Sequence, residues 1–236
     1  MDDEIQKMFD QAKHIVFLTG AGVSTPSGIP DYRSKNGLYT QDKSDKPAEY
    51  YLSHACLNNE PDVFYKFVKS NMYYPDAKPN VIHEKQAQYT NLGKASIITQ
   101  NVDNLYNVAH AKHLVEFHGN LYHVYCEKCK KNVDWHEYMK SPIHQGCGGT
   151  LRPGIVLYDE GLDQGNIINS IQMMQKSDLV VIVGTSMRVY PFAGLLQYRN
   201  QNANVIAINQ EKLNFGFPFK MVQADAVKFF DDLNVR

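Results

Sequence analysis

Four short stretches of the chain gather side chains that can do chemistry, each following an apolar run. The run His14-Ile15-Val16-Phe17-Leu18 leads into Thr19-Gly20-Ala21-Gly22-Val23-Ser24-Thr25. A β-branched strand ending in Gly-x-Gly is expected to bring bare backbone N–H groups to a phosphate. Its glycines permit a sharp turn and remove side chains that would block the ligand. Taken alone, the same pattern is a plain strand-to-helix turn. Shortly after it, Asp31-Tyr32-Arg33 sets an acid, an aromatic ring and a guanidinium side by side.

The second stretch, Thr99-Gln100-Asn101-Val102-Asp103, offers two amides and a carboxylate. A polar strand exit with a helix cap explains it equally well. The third, Glu116-Phe117-His118-Gly119, puts a histidine at a strand end, where it suits a general base near neutral pH. The chain has nine histidines, and only this position raises His118 above the others. The fourth, Gly184-Thr185-Ser186, supplies small hydroxyl groups suited to phosphate or ribose, or simply to a turn with local hydroxyl–backbone bonds.

The elements that must hold these stretches are short, β-branched runs at 14–18, 95–99, 113–117, 178–183 and 204–208. Near-continuous apolar runs of this length are expected where a strand is buried on both faces. Each ends in glycine or polar residues, the last at Asn209. In an open α/β sheet, ligands sit outside the carboxyl ends of the strands at a topological switch point. Helical patterns occupy 3–12, 61–74, 81–91, 166–176 and 190–201. Pro61 suits a first helical turn. On that helix Phe64, Tyr65 and Val68 read most simply as core, with a channel lining as the alternative. Residues 121–155 differ: they hold Cys-x-x-Cys, the single tryptophan at 135 and a glycine-rich turn, and read as a small insertion between two sheet strands.

The third glycine of the common dinucleotide fingerprint is missing, because position 25 is threonine. A common dehydrogenase is therefore disfavoured. The 236 residues allow one sizeable domain with an insertion, and 43% hydrophobic residues supply a core. A net charge of −1 does not suit a dedicated nucleic-acid binder. The acidic opening Met1-Asp2-Asp3-Glu4 lacks the apolar region of a signal peptide. No run reaches the roughly 20 apolar residues of a membrane helix. The expectation is a cytoplasmic protein without membrane contact. Four cysteines at 56, 126, 129 and 147 then read as metal or redox chemistry rather than a disulfide framework.

Together the motifs resemble the sirtuins, the NAD-dependent protein deacylases. Gly-Ala-Gly-Val-Ser, Gly-Ile-Pro-Asp-Tyr-Arg-Ser, Thr-Gln-Asn-Val-Asp, Phe-His-Gly, Cys-x-x-Cys, Cys-Gly-Gly-Thr-Leu-Arg-Pro, Gly-Thr-Ser and Ile-Asn occur in the family's order from about residue 10 to 230. The resemblance implies an α/β fold: a Rossmann-like parallel sheet domain (1–33, 76–120 and 156–236), with a small domain made of a helical insertion (about 34–75) and a zinc-ribbon-like insertion (about 121–155). It implies NAD bound by Gly20, Ala21, Gly22, Thr25, Asp31, Tyr32, Arg33, Gln100, Asn101, Val102, Asp103 and His118. On the adenosine side it implies Gly184, Thr185, Ser186, Asn209, Asp225 and Ala226. His118, Asn101 and Asp103 become catalytic, with His118 the base. Val156, Tyr158 and Tyr65 become substrate contacts for an acylated-lysine protein or peptide, which adds as a strand near 154–157.

The chemistry so implied transfers the acyl group to ADP-ribose and releases nicotinamide. A mono-ADP-ribosyltransferase on the same site, or a non-catalytic NAD or ADP-ribose sensor, are the alternatives. Three departures mark this chain. Asn104 and Tyr106 stand where the family usually has Gly and His. Tyr158-Asp159-Glu160 replaces Phe-Gly-Glu. His144 stands where the second Cys-x-x-Cys begins, so the expected zinc ligands are Cys126, Cys129, His144 and Cys147. Imidazole is a good zinc ligand; the alternative is a metal-free knuckle with His144 on a surface loop. Desuccinylating sirtuins carry a Tyr-x-x-Arg pair; here Tyr65 is followed by Val68.

Overall fold

The computed structural model describes residues 2–31, 37 and 46–236. Tyr32 and Arg33 of the expected site lie outside the described residues. The strands are β1 (Ile15–Thr19), β2 (Ala95–Thr99), β3 (Leu114–Glu116), β4 (Gly119–Cys126), β5 (Asn132–Val133), β6 (Leu151–Ile155), β7 (Leu179–Val183), β8 (Asn204–Asn209) and β9 (Lys220–Gln223). The α-helices are α1 (Asp3–Gln11), α2 (Ala48–Tyr51), α3 (His54–Asn59), α4 (Pro61–Asn71), α5 (Val81–Asn91), α6 (Leu105–Val108), α7 (Trp135–Lys140), α8 (Gln164–Lys176) and α9 (Ala226–Asp232).

Six strands form one Rossmann-like sheet in the order β3-β2-β1-β7-β8-β9. All its pairings are parallel. β1 and β7 are buried along their whole length, which is why both read as unbroken apolar runs. The chain walks outward from β1 to β3 and then returns to the other side of β1 at β7. The switch point therefore lies between β1 and β7. Register keeps the carboxyl ends level there: Thr19 pairs with Thr99 on one side and Val183 on the other. The segments that follow β1, β2 and β7 thus leave the sheet at one edge.

Each face of the sheet is covered by its own core. Phe9 of α1, Phe17 of β1, Tyr89 of α5 and Phe230 of α9 pack on one face; Met174 of α8, Phe117 and Phe192 pack on the other. Helix starts follow their sequence signals: Asp2, Asp163 and Asp225 each accept a backbone N–H of the first turn.

A third core belongs to a small second domain. There the antiparallel sheet β5-β4-β6 packs against α3 and α4, burying Cys56, Phe64, Val68, Leu121, Val124 and Tyr138 together. Aromatic rings form the seam between its two insertions. Tyr73 stacks on Trp135 at 5.8 Å and donates its hydroxyl to Leu121 O at 2.6 Å.

Two expectations are corrected. The helix expected over 190–201 is a 3-10 helix over Phe192–Tyr198. Gly194 sits inside it and bonds to Pro191 O, three residues back, in a segment that glycine makes a poor α-helix. The helix expected over 61–74 stops at Asn71, where Met72 closes it on Val68 O. No helix among the described residues is long and apolar enough to cross a membrane.

Candidate active site

Gly20, Gly22 and Gly184 allow the turns after β1 and β7 to pass each other closely. A Cβ on Gly22 would lie 2.8 Å from Gly184 Cα, and one on Gly20 would lie 2.7 Å from Thr185 Cβ. Gly184 itself adopts φ 58°, a left-handed conformation that glycine takes without strain. This corrects the expectation of bare amides. Gly20 N–H donates to Val183 O at 3.2 Å and Gly22 N–H to Gly184 O at 2.9 Å. Those glycines clear space for a neighbouring loop, and their amides are already paired.

Beneath this turn lies a buried polar network. Ser24 donates to Asp103 Oδ2 at 2.6 Å and accepts from Asn101 Nδ2 at 3.0 Å. Asn101 Nδ2 also reaches Gly20 O at 3.2 Å. Asp103 Oδ1 accepts the Leu105 N–H at 3.0 Å, so it caps α6. Burial raises the Asp103 pKa, while the Ser24 hydroxyl and the Leu105 N–H pull it down. His83 lies behind Ser24 with Nε2 at 3.4 Å from its Oγ. The Asn80 N–H donates to His83 Nδ1 at 3.3 Å, so Nδ1 is the acceptor and Nε2 carries the proton. Burial lowers the His83 pKa to about 3, which keeps the ring neutral.

His118 is placed by β3 and the turn into β4. Its Nδ1 lies 3.2 Å from Gln100 O. A carbonyl only accepts, so Nδ1 carries the proton and Nε2 keeps its lone pair. Burial lowers the His118 pKa, and the Gln100 carbonyl partly offsets this. The ring packs against Phe117 and Phe192. Gly119 follows at φ 83°. A Cβ there would stand 2.1 Å from Gly154 O, which explains the glycine in Phe-His-Gly.

The remaining expected residues fall into two groups. Gln100 Nε2 donates to Thr185 Oγ1 at 2.8 Å, joining the exits of β2 and β7. A cavity brings Ala21, Ser24 and Pro30 together with Asn101, Val102 and Asp103, closed by Met72 and Tyr74 from the small domain. Val156 N–H donates to His118 O at 2.9 Å. Others are occupied locally. Thr25 Oγ1 donates to Gly22 O, Asn209 Nδ2 to Glu211 O, and Asp225 Oδ1 accepts from Val227 N–H beside Ala226. Tyr65 packs edge-on against Tyr138 at 5.2 Å and donates to Met139 O at 3.2 Å. It thereby ties the two insertions together.

The departures find physical accounts. Asn104 takes φ 67° and Asp159 takes φ 71°, so both adopt the left-handed conformation that glycine takes without strain and that Asn and Asp tolerate. Tyr106 is buried, lies 4.8 Å from the His83 ring and donates to Gln86 Oε1 at 2.7 Å. Ser24 and His83 were not among the sequence-expected site residues. Ser24 was visible within Gly-Ala-Gly-Val-Ser, whereas His83 gave no signal on a helix of mixed pattern.

The ligand atoms of Cys126, Cys129, His144 and Cys147 all lie within 4.8 Å of one another. His144 Nδ1 sits 3.4 Å from Cys129 Sγ and 3.2 Å from Cys147 Sγ, and the Sγ atoms of Cys126 and Cys147 are 3.4 Å apart. Tetrahedral zinc with Zn–S of about 2.3 Å and Zn–N of about 2.0 Å separates its donors by roughly 3.5–3.8 Å. Three thiols and an imidazole at these distances fit one structural zinc.

The model of the Sir2 family matches residues 20–191. The NAD-dependent protein deacetylase of Lactiplantibacillus plantarum is 63% identical over 230 residues, covering 98% of this chain and 97% of the relative. That of Listeria monocytogenes serotype 4b is 52% identical, over 98% of this chain and 100% of the relative. Among solved structures, Sir2 with a p53 peptide and NAD+ superposes with a TM-score of 0.84 at 30% identity, covering 98% of this chain and 96% of that one.

Proposed function

The chain belongs to the Sir2 family, and on that premise we propose that it is an NAD-dependent protein lysine deacetylase. Its reaction transfers the acyl group to ADP-ribose and releases nicotinamide. The observation that carries this reading is the tautomer of His118: Nδ1–H is spent on Gln100 O, so Nε2 is the base. A neutral imidazole whose pKa is lowered by burial accepts a proton near pH 7 without first having to lose one.

NAD, when bound, supplies a ribose carbon that becomes electrophilic as nicotinamide departs. The chain's residues bind it, orient it and keep water away. Ala21, Asn101, Val102 and Asp103 border the cavity beside the switch point, and we assign the nicotinamide end to them. Ser24, itself held by Asn101, and the Leu105 N–H hold Asp103 in one orientation, which favours a preorganised site. Gly20, Gly22, Thr25, Asp31, Gln100, Gly184, Thr185, Ser186, Asn209, Asp225 and Ala226 are assigned to the rest of NAD, with Tyr32 and Arg33. Val156 and Tyr158 are assigned to the acylated peptide. Cys126, Cys129, His144 and Cys147 would hold one structural zinc, which would tie the end of β4 to the turn before β6.

We assign residues 1–33, 76–120 and 156–236 to the large part, with insertions at about 34–75 and 121–155; the separate cores support this division, with Val102 and Leu157 of the large part packing into the small-domain core. A cytoplasmic location agrees with the cysteines. The described thiols are unpaired, and three of them stand in the metal cluster.

The test is mass spectrometry of an acetyl-lysine peptide incubated with the protein and NAD. The expected products are the free-lysine peptide, nicotinamide and O-acetyl-ADP-ribose. A peptide gaining ADP-ribose would assign a transferase instead, and an unchanged peptide would leave a sensor.

A further inference from the structure

The segment Ile155–Glu160 carries Val156 and Tyr158 and is tied to three separate parts of the fold. Val156 N–H donates to His118 O at 2.9 Å, and Tyr158 N–H donates to Leu52 O at 2.9 Å. Tyr158 O accepts the His54 N–H at 3.0 Å. These bonds attach the segment to the catalytic histidine on one side and to the start of α3 on the other.

The side-chain ties converge on Glu160. Arg152 Nη1 donates to its Oε1 at 2.7 Å and Nη2 to its Oε2 at 2.9 Å. Oε2 also accepts the Leu157 N–H at 3.0 Å, which folds the segment back on itself just after the left-handed Asp159. His54 Nδ1 reaches Oε1 at 2.9 Å. Arg152 stands on β6, is only 5% exposed, and uses Nη2 a second time on Ile155 O at 3.0 Å. Glu160 thus joins the zinc-bearing sheet, the helical insertion and the substrate segment. Its pKa falls to about 2, because the bonds from Arg152, Leu157 and His54 outweigh its burial. The carboxylate is therefore ionised throughout the working range.

A buried ion pair is weak evidence for stability, since desolvation offsets much of the attraction. What a bidentate Arg–carboxylate pair supplies is fixed distance and angle. Neither Glu160 nor any partner of its carboxylate lines the cavity assigned to NAD, whose walls include Ala21, Ser24, Met72, Tyr74, Asn101 and Asp103.

We infer that Glu160 is a positioning residue for the acylated peptide: through Arg152, Leu157 and His54 it holds the 155–158 segment in the shape a substrate strand must meet. The inference rests on assigning Val156 and Tyr158 to the peptide. Peptide capture should depend on Glu160, and NAD capture should not.

The test is steady-state kinetics on an acetyl-lysine peptide, varying peptide and NAD separately, for wild type, Glu160→Gln and His54→Ala. Glutamine keeps the volume but loses the charge and the paired acceptors. Glu160→Gln is expected to raise the KM for peptide at least tenfold, with the KM for NAD changed less than twofold and kcat within threefold. His54→Ala, which removes one tie, is expected to raise the peptide KM about threefold. A peptide KM within twofold of wild type in Glu160→Gln overturns the inference. So does an equal rise in both KM values, the mark of general loosening. If Glu160→Gln does not fold, His54→Ala decides: its side chain is half exposed, and an unchanged peptide KM in that folded variant overturns the inference. Wild type without NAD-dependent deacetylation would remove the functional reading itself, and this inference with it.

Discussion

His118 and Gln100 are joined by one bond, Nδ1 to the backbone carbonyl at 3.2 Å, and that bond selects the nitrogen that reacts. Gln100 follows β2 and His118 follows β3, so the pairing of two neighbouring strands sets the tautomer of the base. The Gln100 side chain, meanwhile, reaches across to Thr185 beyond β7. One residue therefore registers three strand exits at the switch point.

The first expected outcome concerns this base. His118→Ala should lower kcat by about two to four orders of magnitude, the usual worth of a general base, while NAD binding persists. The base works only when neutral, so activity falls as pH drops through its folded pKa. Burial places that pKa below the ordinary 6.5. The acid limb of kcat for wild type should accordingly lie below pH 6.5. A limb at or above that value in the pH–rate profile would contradict the assignment.

The parallel sheet was legible because β1, β2, β7 and β8 are buried apolar runs ending in glycine or polar residues. The edge strand β9, Lys220–Gln223, was not, being four residues long and only half buried. In the site, Gly20, Gln100, Asn101, Asp103 and His118 were legible because each stands at a strand exit. The network beneath them was not. Ser24, His83 and Asp103 meet only through packing of β1, β2 and α5, and no local pattern announces contacts between residues 59 and 79 positions apart. The expected bare amides of the Gly-x-Gly turn failed for a similar reason. Their partners, Val183 and Gly184, lie at the end of a strand more than 160 residues later.

His83 should make the protein acid-sensitive. Its folded pKa is about 3, against about 6.5 when unfolded. The unfolded state then binds one more proton between those values. This contribution is complete above pH 6.5, declines as pH falls, and is fully lost below about pH 3. From pH 6.5 to 5 it amounts to about 2 kcal/mol. Denaturant melts of wild type and His83→Gln at both pH values should show a shallower pH dependence in the variant. Parallel curves would mean that His83 does not carry the effect.

The zinc site should contain three sulfurs and one nitrogen. X-ray absorption of purified protein is expected to show that shell, with elemental analysis near one zinc per chain. Cys126→Ser should lose the metal. His144→Cys should keep it with four sulfurs, because thiolate and imidazole serve the same tetrahedral position. An unchanged nitrogen signal in His144→Cys would remove His144 from the ligand set.

Gly22→Ala should damage both stability and NAD binding. Its Cβ would press to 2.8 Å from Gly184 Cα and Gly184 O, both backbone atoms with little room to yield. Overpacking of this kind costs about 1–3 kcal/mol. The loops after β1 and β7 must part to relieve it, and the switch point opens with them. A thermal melt together with NAD titration checks this; normal values in both would show that the loops are not in contact in solution.

The last expected outcome concerns the acyl group. A succinyl or malonyl chain ends in a carboxylate, which needs a cation when it is removed from water. Helix α4 carries Tyr65 and Val68 where a desuccinylating relative would carry the tyrosine and arginine of its Tyr-x-x-Arg pair. Val68 is wholly buried in the small-domain core, and the Tyr65 hydroxyl is already donated to Met139 O at 3.2 Å. The next residue in the helix, Lys69, is rotated by about 100°, and its Nζ sits over the Tyr65 ring at 5.5 Å. A carboxylate buried beside valine would lose the bidentate partner and keep its desolvation cost of several kcal/mol. Acetyl-lysine carries no such charge. kcat/KM on an acetyl peptide should therefore exceed that on the matching succinyl peptide by about a hundredfold or more, since every 1.36 kcal/mol is a factor of ten. Equal efficiency on the two peptides with wild type would refute this account of the pocket.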